Sequence, residues 1–154
     1  MTVRIAAGLL LAFAAAAPRL GAAPVKVFLD TDVCVDAGDL AALAMMHGLA
    51  GRGEIEILGV TCVTSNPHAP GCVDAIDRWY GRPDVPVGAL KDPDFLQKSD
   101  YSEHIARTWP NRYPADAASA PDATALFRRI VAAQPDGSVT LVSIGPLRNL
   151  RRFL

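Results

Sequence analysis

Four short runs rich in β-branched and aliphatic residues, VKVFLD (25–30), EIEILGVTCVT (54–64), VPVGAL (85–90) and SVTLVSIG (138–145), recur along the chain with helix-period segments between them. This alternation is the strongest constraint the sequence carries. Near-continuous apolar strands must be covered on both faces, and strands separated by helices pair in parallel. The expected fold class is therefore α/β, a mainly parallel sheet flanked by helices.

The first connecting helix is DLAALAMMHGLAGRG (39–53), in which Leu40, Leu43, Met46 or His47, and Ala50 recur at helical spacing before Gly51 to Gly53 end it. PGCVDAIDRWYGRPD (70–84) suits a second helix closed by Gly81, and PDATALFRRIVAAQPDG (121–137) a later one with Asp122 near its start. Residues 91–120 carry three prolines and many turn formers. They read as a long surface excursion with at most one short helix, near Glu103 to Thr108. PLRNLRRFL (146–154) opens another amphipathic helix whose Leu147, Leu150, Phe153 and Leu154 need a cover. On that ground the fold is expected to continue beyond Leu154.

A length of 154 residues with 51% hydrophobic and 20% charged side chains suits one globular domain without internal repeats. Part of that hydrophobicity sits at the start. MTVR, then the 13-residue apolar run IAAGLLLAFAAAA, then PRLGAAP have the three parts of a secretory signal peptide. The run falls short of the ~20 residues of a membrane span. Residues 1–23 are expected to be a cleaved export signal, with a retained N-terminal anchor as the alternative, and the mature chain to be periplasmic or secreted. Cleavage removes Arg4 and Arg19, so the 15 basic side chains become 13 against 16 acidic ones, a balance of about −3 that does not recruit nucleic acid. Cys34, Cys62 and Cys72 allow at most one internal pair, and no CxxC or CxxH spacing suggests a cysteine metal site. A buried free thiol is the ordinary reading of Cys62.

KVFLDTDVCVDAGDLAALA (26–44) places Asp30, Asp32, Asp36 and Asp39 within ten positions where the first strand becomes a helix. Ligands of open α/β sheets bind at the carboxyl ends of the strands, where this loop lies. A helix N-terminus favours an anion by about 0.3–1 kcal/mol, which accounts for Asp36 or Asp39. It does not account for all four. Crowded carboxylates raise one another's pKa unless a cation neutralises them, and a hard divalent ion with oxygen ligands meets that need. The spacing is not that of an EF-hand, so the ligands would come from several segments. A solvated acidic turn without an ion is the alternative.

FLDTDVCVDAGDLAALA, followed by ILGVTCVTSNP, WYGRPDVPVG and VTLVSIGPLRNL, resembles the inosine/uridine-preferring nucleoside hydrolases in order and in approximate separation, from Val25 to Leu154. After the export signal over 1–23, the resemblance implies a partial nucleoside hydrolase-like domain over 24–154, with that family's Rossmann-like sheet and lacking its C-terminal half. It implies Ca²⁺ as cofactor, held in the aspartate loop, and a small nucleoside-like substrate whose N-ribosyl bond is cleaved by water to free base and ribose. Residue by residue, Asp32 matches the general base and calcium ligand, Asp39 the second calcium carboxylate, and Asp30 the strand-end aspartate that supports the loop. Asn66 matches an asparagine close to the ribose. GPLRN matches the family's GPLTN segment, which lends calcium a main-chain carbonyl, so Arg148 in place of threonine leaves that ligand intact. Homo-oligomerisation is compatible with this reading and is not specified by it.

Two positions depart from the family's loop. Cys34 stands where glycine is expected, and Gly38 where the first of two adjacent aspartates would be, leaving Asp36 as the candidate contact to the ribose. The family's second half supplies a further calcium aspartate, a leaving-group histidine in some members, and asparagine and glutamate contacts to the ribose. Without it, a catalytically inactive remnant that at most binds Ca²⁺ is a reading from another class. VFLDTDV also fits the opening of haloacid dehalogenase-like phosphatases, with Asp30 as nucleophile, Asp32 as acid/base and Ser143 in a second motif. His47 reads as a packed helix residue, and His68 as a loop residue close to Asn66. His104, Trp109 and Tyr113 read as cover for the sheet, and Arg128 and Arg129 as solvated helix charges.

Overall fold

The computed structural model describes residues 23–34, 36–93, 95, 100–114 and 117–154, so the expected export signal lies outside the described residues except for Ala23. Strand β1 (Val25–Thr31) leads into α1 (Gly38–Gly51), β2 (Ile55–Cys62), α2 (Ala69–Trp79) and β3 (Val87–Ala89). Helices α3 (Asp100–Thr108) and α4 (Ala123–Ala132), strand β4 (Val139–Ser143) and helix α5 (Arg148–Phe153) follow. The four strands form one all-parallel sheet in the order β3-β2-β1-β4. The α/β class with a mainly parallel, helix-flanked sheet is thus what the chain adopts.

Strand periodicity explains why β1 is apolar throughout. Alternate side chains leave a strand on opposite faces. Val27 and Leu29 join Leu43 and Met46 of α1 and Val73 of α2 in the main core, while Phe28, on the other face, meets Phe127 of α4 with ring centroids 4.6 Å apart. Phe153 of α5 packs at a tilt on the same Phe127, centroids 4.0 Å apart, which supplies part of the cover its helix needs. Arg128 is more than a solvated charge: it donates to the carbonyls of Arg152 and Phe153 and ties α4 to α5.

The strand order fixes where a ligand can sit. The chain steps outward from β1 through β2 to β3, then crosses back to place β4 on the other side of β1. The loops after β1 and β4 therefore diverge, and the crevice between them is the topological switch point of the sheet. Asp30 at the end of β1 lies in register with Ser143 at the end of β4 and with Thr61 of β2.

Helix α2 stops at Trp79 and is closed by Gly81 as expected, which at φ 74° turns the chain into the left-handed region. Two element boundaries differ from expectation. Strand β3 is three residues long: the preceding Pro86 has no N–H for the ladder and contributes its carbonyl to Val60 N. Helix α3 begins at Asp100, before the expected Glu103. The polar stretch reads as a turn in sequence, yet Ser102 and Ala106 bury fully one turn apart, beside Tyr101 and Ile105 on the core. Cys34, Cys62 and Cys72 are all buried, and no disulfide joins them. Among the described residues no helix is long and apolar enough to cross a membrane.

Candidate functional site

The site is assembled at the carboxyl end of β1 by three segments. The first is β1 itself with the loop that follows. Asp30 is 1% exposed, and its Oδ1 accepts from the Thr61 hydroxyl at 2.7 Å and from Asn149 Nδ2 at 2.8 Å. Burial pushes its carboxyl above the ordinary range; the Thr61 and Asn149 bonds pull it down, and repulsion from Asp32 adds to the rise. Asp39, 5% exposed in the first turn of α1, accepts a short bond from the Thr31 hydroxyl. Its carboxyl is likewise raised, first by burial and then, against the Thr31 bond, by the charges of Asp32 and Asp36. Asp32 is therefore close enough to act on both buried carboxylates.

The second segment follows β4. A Cβ built on Gly145 would stand 2.9 Å from Asp32 Oδ1, 3.0 Å from Asp32 N and 2.7 Å from Val63 Cγ1. The first residue of GPLRN is thus pressed against Asp32 in a space that only glycine leaves open. Four residues on, Asn149 buries at 4% exposure and bridges Asp30 Oδ1 to the Cys62 carbonyl, at 2.8 and 3.3 Å. Arg148 begins α5, and its side chain turns to Asp92 at 2.6 Å and lies over the Phe95 ring at 4.3 Å.

The third segment follows β2. Asn66 is 4% exposed; its Oδ1 accepts from His68 N at 2.9 Å, and its own N–H donates to Thr64 Oγ1 at 3.1 Å. Cys34 of the first loop donates to that same Thr64 hydroxyl at 3.7 Å, so the loops after β1 and β2 are joined. Burial, with the charges of Asp32 and Asp39, pushes the Cys34 thiol up to about 11 despite the Thr64 bond. No non-glycine residue described has a positive φ, so the backbone at Cys34 does not need the freedom of the expected glycine.

The fold thus brings Asp32, Asp39, Asn66 and the segment leading to Arg148 to one rim. Asp36 stands apart on the exposed side of the loop, its carboxylate folded back onto Gly38 N at 2.6 Å and its carbonyl accepting from Tyr101 of α3 at 2.9 Å. Gly38 makes this possible, since a Cβ there would stand 2.7 Å from Asp36 Oδ1. His68 caps α2, its ring 3.8 Å from Glu103. His47 is fully packed, bonded to Asp77 at 2.9 Å and stacked on Tyr80. Trp109 covers α2 through an edge contact with Trp79, not the sheet. Sequence reasoning missed Asn149, Thr31 and Thr61 as site residues. For Asn149 the signal was present, because it closes the GPLRN motif.

The donor set suits a hard cation. Asp30 Oδ2 and Asn149 Oδ1 are buried oxygens without a hydrogen-bond partner among the described residues, and the carboxyls of Asp30 and Asp39 are both raised, first by burial and further by neighbouring negative charge. A divalent ion relieves that repulsion. No group of three or more His, Cys, Asp or Glu side chains fit to hold a metal occurs among the described residues. The expected set has two carboxylates, Asp32 and Asp39, with a main-chain carbonyl as third ligand. Comparison with protein-family models and with curated protein sequences finds no match to the chain.

Proposed function

We propose that the chain is built for calcium-dependent hydrolysis of an N-ribosyl bond. The observation that carries this reading is the convergence of the GPLRN segment on the aspartate loop: Gly145 against Asp32, and Asn149 on Asp30. Two motifs more than a hundred residues apart in sequence meet at the switch point of the sheet. An acidic turn serving only to cap α1 would need neither contact.

Asp32, Asp39 and the main-chain carbonyl of Arg148 would hold the ion. A bound calcium supplies positive charge that lowers the pKa of water and orients the ribose hydroxyls. Asp32 takes the proton of the attacking water, and the negative rim of Asp32 and Asp39 stabilises positive charge developing on the ribosyl ring as the base departs. Asn66 supplies amide contacts to the sugar, and the Asp36 carboxylate accepts from the sugar hydroxyls once it leaves Gly38 N. Asp30 is a positioning residue: its bonds to Thr61 and Asn149 lock the end of β1 to β2 and α5. That burial argues against the phosphatase reading, in which Asp30 would be an exposed nucleophile.

The test is release of free base from a nucleoside with Ca²⁺, followed chromatographically for the chain and for Asp32→Asn. Turnover should vanish with a chelator and fall at least ~100-fold in Asp32→Asn, the scale of general-base catalysis. Ca²⁺ uptake without base release would favour the inactive remnant instead. Turnover of p-nitrophenyl phosphate with Mg²⁺ would favour the phosphatase.

A further inference from the structure

A cavity of about 230 Å³ opens between the segment after β3 and helix α5, lined by Asp92, Arg148, Arg151 and Arg152. Arg148 Nη1 and Arg152 Nη2 both donate to one oxygen, Asp92 Oδ2, at 2.6 and 3.2 Å. Three arginines and a single carboxylate line the cavity, which is thus locally cationic in a chain whose formal net charge is −1. Basic residues in the last turn of a helix suit its dipole, but that effect does not require them to line one hollow with a residue from the preceding turn.

The position matters as much as the charge. Asp92 follows β3 and Arg148 follows β4, the two edge strands, so their ion pair spans the carboxyl rim of the sheet. Asp92 also accepts a bond from the Ser65 hydroxyl through its carbonyl, next to Asn66, and Arg148 lies three residues beyond the Gly145 that abuts Asp32. The segments that line the cavity are thus continuous with those that build the site described above. Phe95 braces the Arg148 guanidinium from its ring face, and Arg128 secures the last carbonyls of α5.

We propose that this cavity is an anion site that receives the phosphate of a phosphorylated riboside, so that the substrate class is a nucleoside 5′-monophosphate in place of a neutral nucleoside. The inference rests on the N-ribosyl hydrolase reading for the riboside and on the cavity alone for the phosphate. Arginine presents planar forks of N–H donors that match phosphate oxygens, and a phosphate dianion balances the two positive charges that Asp92 does not.

Calorimetry on the full chain at low salt separates these parts, with inosine, inosine 5′-monophosphate and inorganic phosphate as probes. The monophosphate should bind about tenfold or more tighter than inosine, the scale of one charge-assisted hydrogen bond, and the advantage should shrink as salt is added. In Arg151→Gln/Arg152→Gln, with folding verified by circular dichroism, that advantage should disappear. Equal affinity for inosine and its monophosphate overturns the proposal, as does an advantage that survives the double substitution. Inorganic phosphate binding with no gain of monophosphate over nucleoside also overturns it, since the anion then comes from solution. Tight monophosphate binding in a chain that releases no base from either compound leaves the anion site standing and removes the hydrolase reading instead.

Discussion

Asp39 carries the electrostatic tension of the loop in a single residue. It is buried, bonded to Thr31, and repelled by Asp32 and Asp36, and its carboxyl is raised above the ordinary 3.8. A carboxyl whose folded pKa exceeds its unfolded value binds its proton more tightly in the folded chain. Its contribution to stability is fully present below the unfolded value and is lost as pH rises through the folded one. At neutral pH without calcium, ionised Asp39 therefore costs stability. Asp39→Asn keeps an acceptor for Thr31 and removes the charge, so its thermal midpoint at pH 7 in chelator should exceed that of the parent by a few degrees. The gain should shrink as the pH is lowered toward about 4, and equal midpoints at both pH values would show that the charge carries no such cost. The carboxylates were legible in the sequence because four of them crowd one turn. For Asn149 the GPLRN motif marked the residue but not its role, which depends on a bond to Asp30, a residue 119 positions away, and no local pattern encodes that contact.

At the scale of elements, helix α2 and the segment after α3 are fitted to each other through Gly71. A Cβ there would stand 2.2 Å from the Tyr113 carbonyl and 2.9 Å from Asn111 Oδ1. Asn111 itself bonds the Ala106 and Trp109 carbonyls and accepts from Tyr113 N. The segment is held further by Arg112, which reaches the buried Asp74 of α2 and the Val85 carbonyl. Helix propensity alone favours alanine over glycine by about 1 kcal/mol. Gly71→Ala should nonetheless destabilise the chain by about 1–3 kcal/mol in urea unfolding, because the carbonyl it displaces is part of a bonded turn. A stabilised variant would mean that the contact is loose. Strands β1, β2 and β4 and helices α1, α2 and α4 follow from apolar periodicity, which is local. The stretch over 100–114 does not, since it is held by Asp74, Gly71 and the core beneath Tyr101 and Ile105, all supplied by other elements.

For the whole molecule, the alternation of strand and helix implied a parallel sheet but not the order β3-β2-β1-β4, which depends on where the long connection from β3 returns. That order makes the aspartate loop a junction. β1 pairs with both β2 and β4, Asn149 bonds Asp30 from α5, and Gly145 packs on Asp32. An ion gripped by Asp32 and Asp39 would thus be held by groups that come together only when the sheet is closed, and the unfolded chain would offer no comparable site. Binding restricted to the folded state stabilises it by about 2.7 kcal/mol at a ligand concentration 100 times Kd. Calcium should accordingly raise the thermal midpoint of the chain in a concentration-dependent way, and magnesium should raise it less, because magnesium demands stricter octahedral geometry and gives up its water reluctantly. Asp32→Asn and Asp39→Asn should each abolish the calcium increment, whatever they do to the midpoint in chelator. Scanning calorimetry over a calcium series decides it: an increment that survives both substitutions places the ion elsewhere, and no increment in the parent removes the ion from the site.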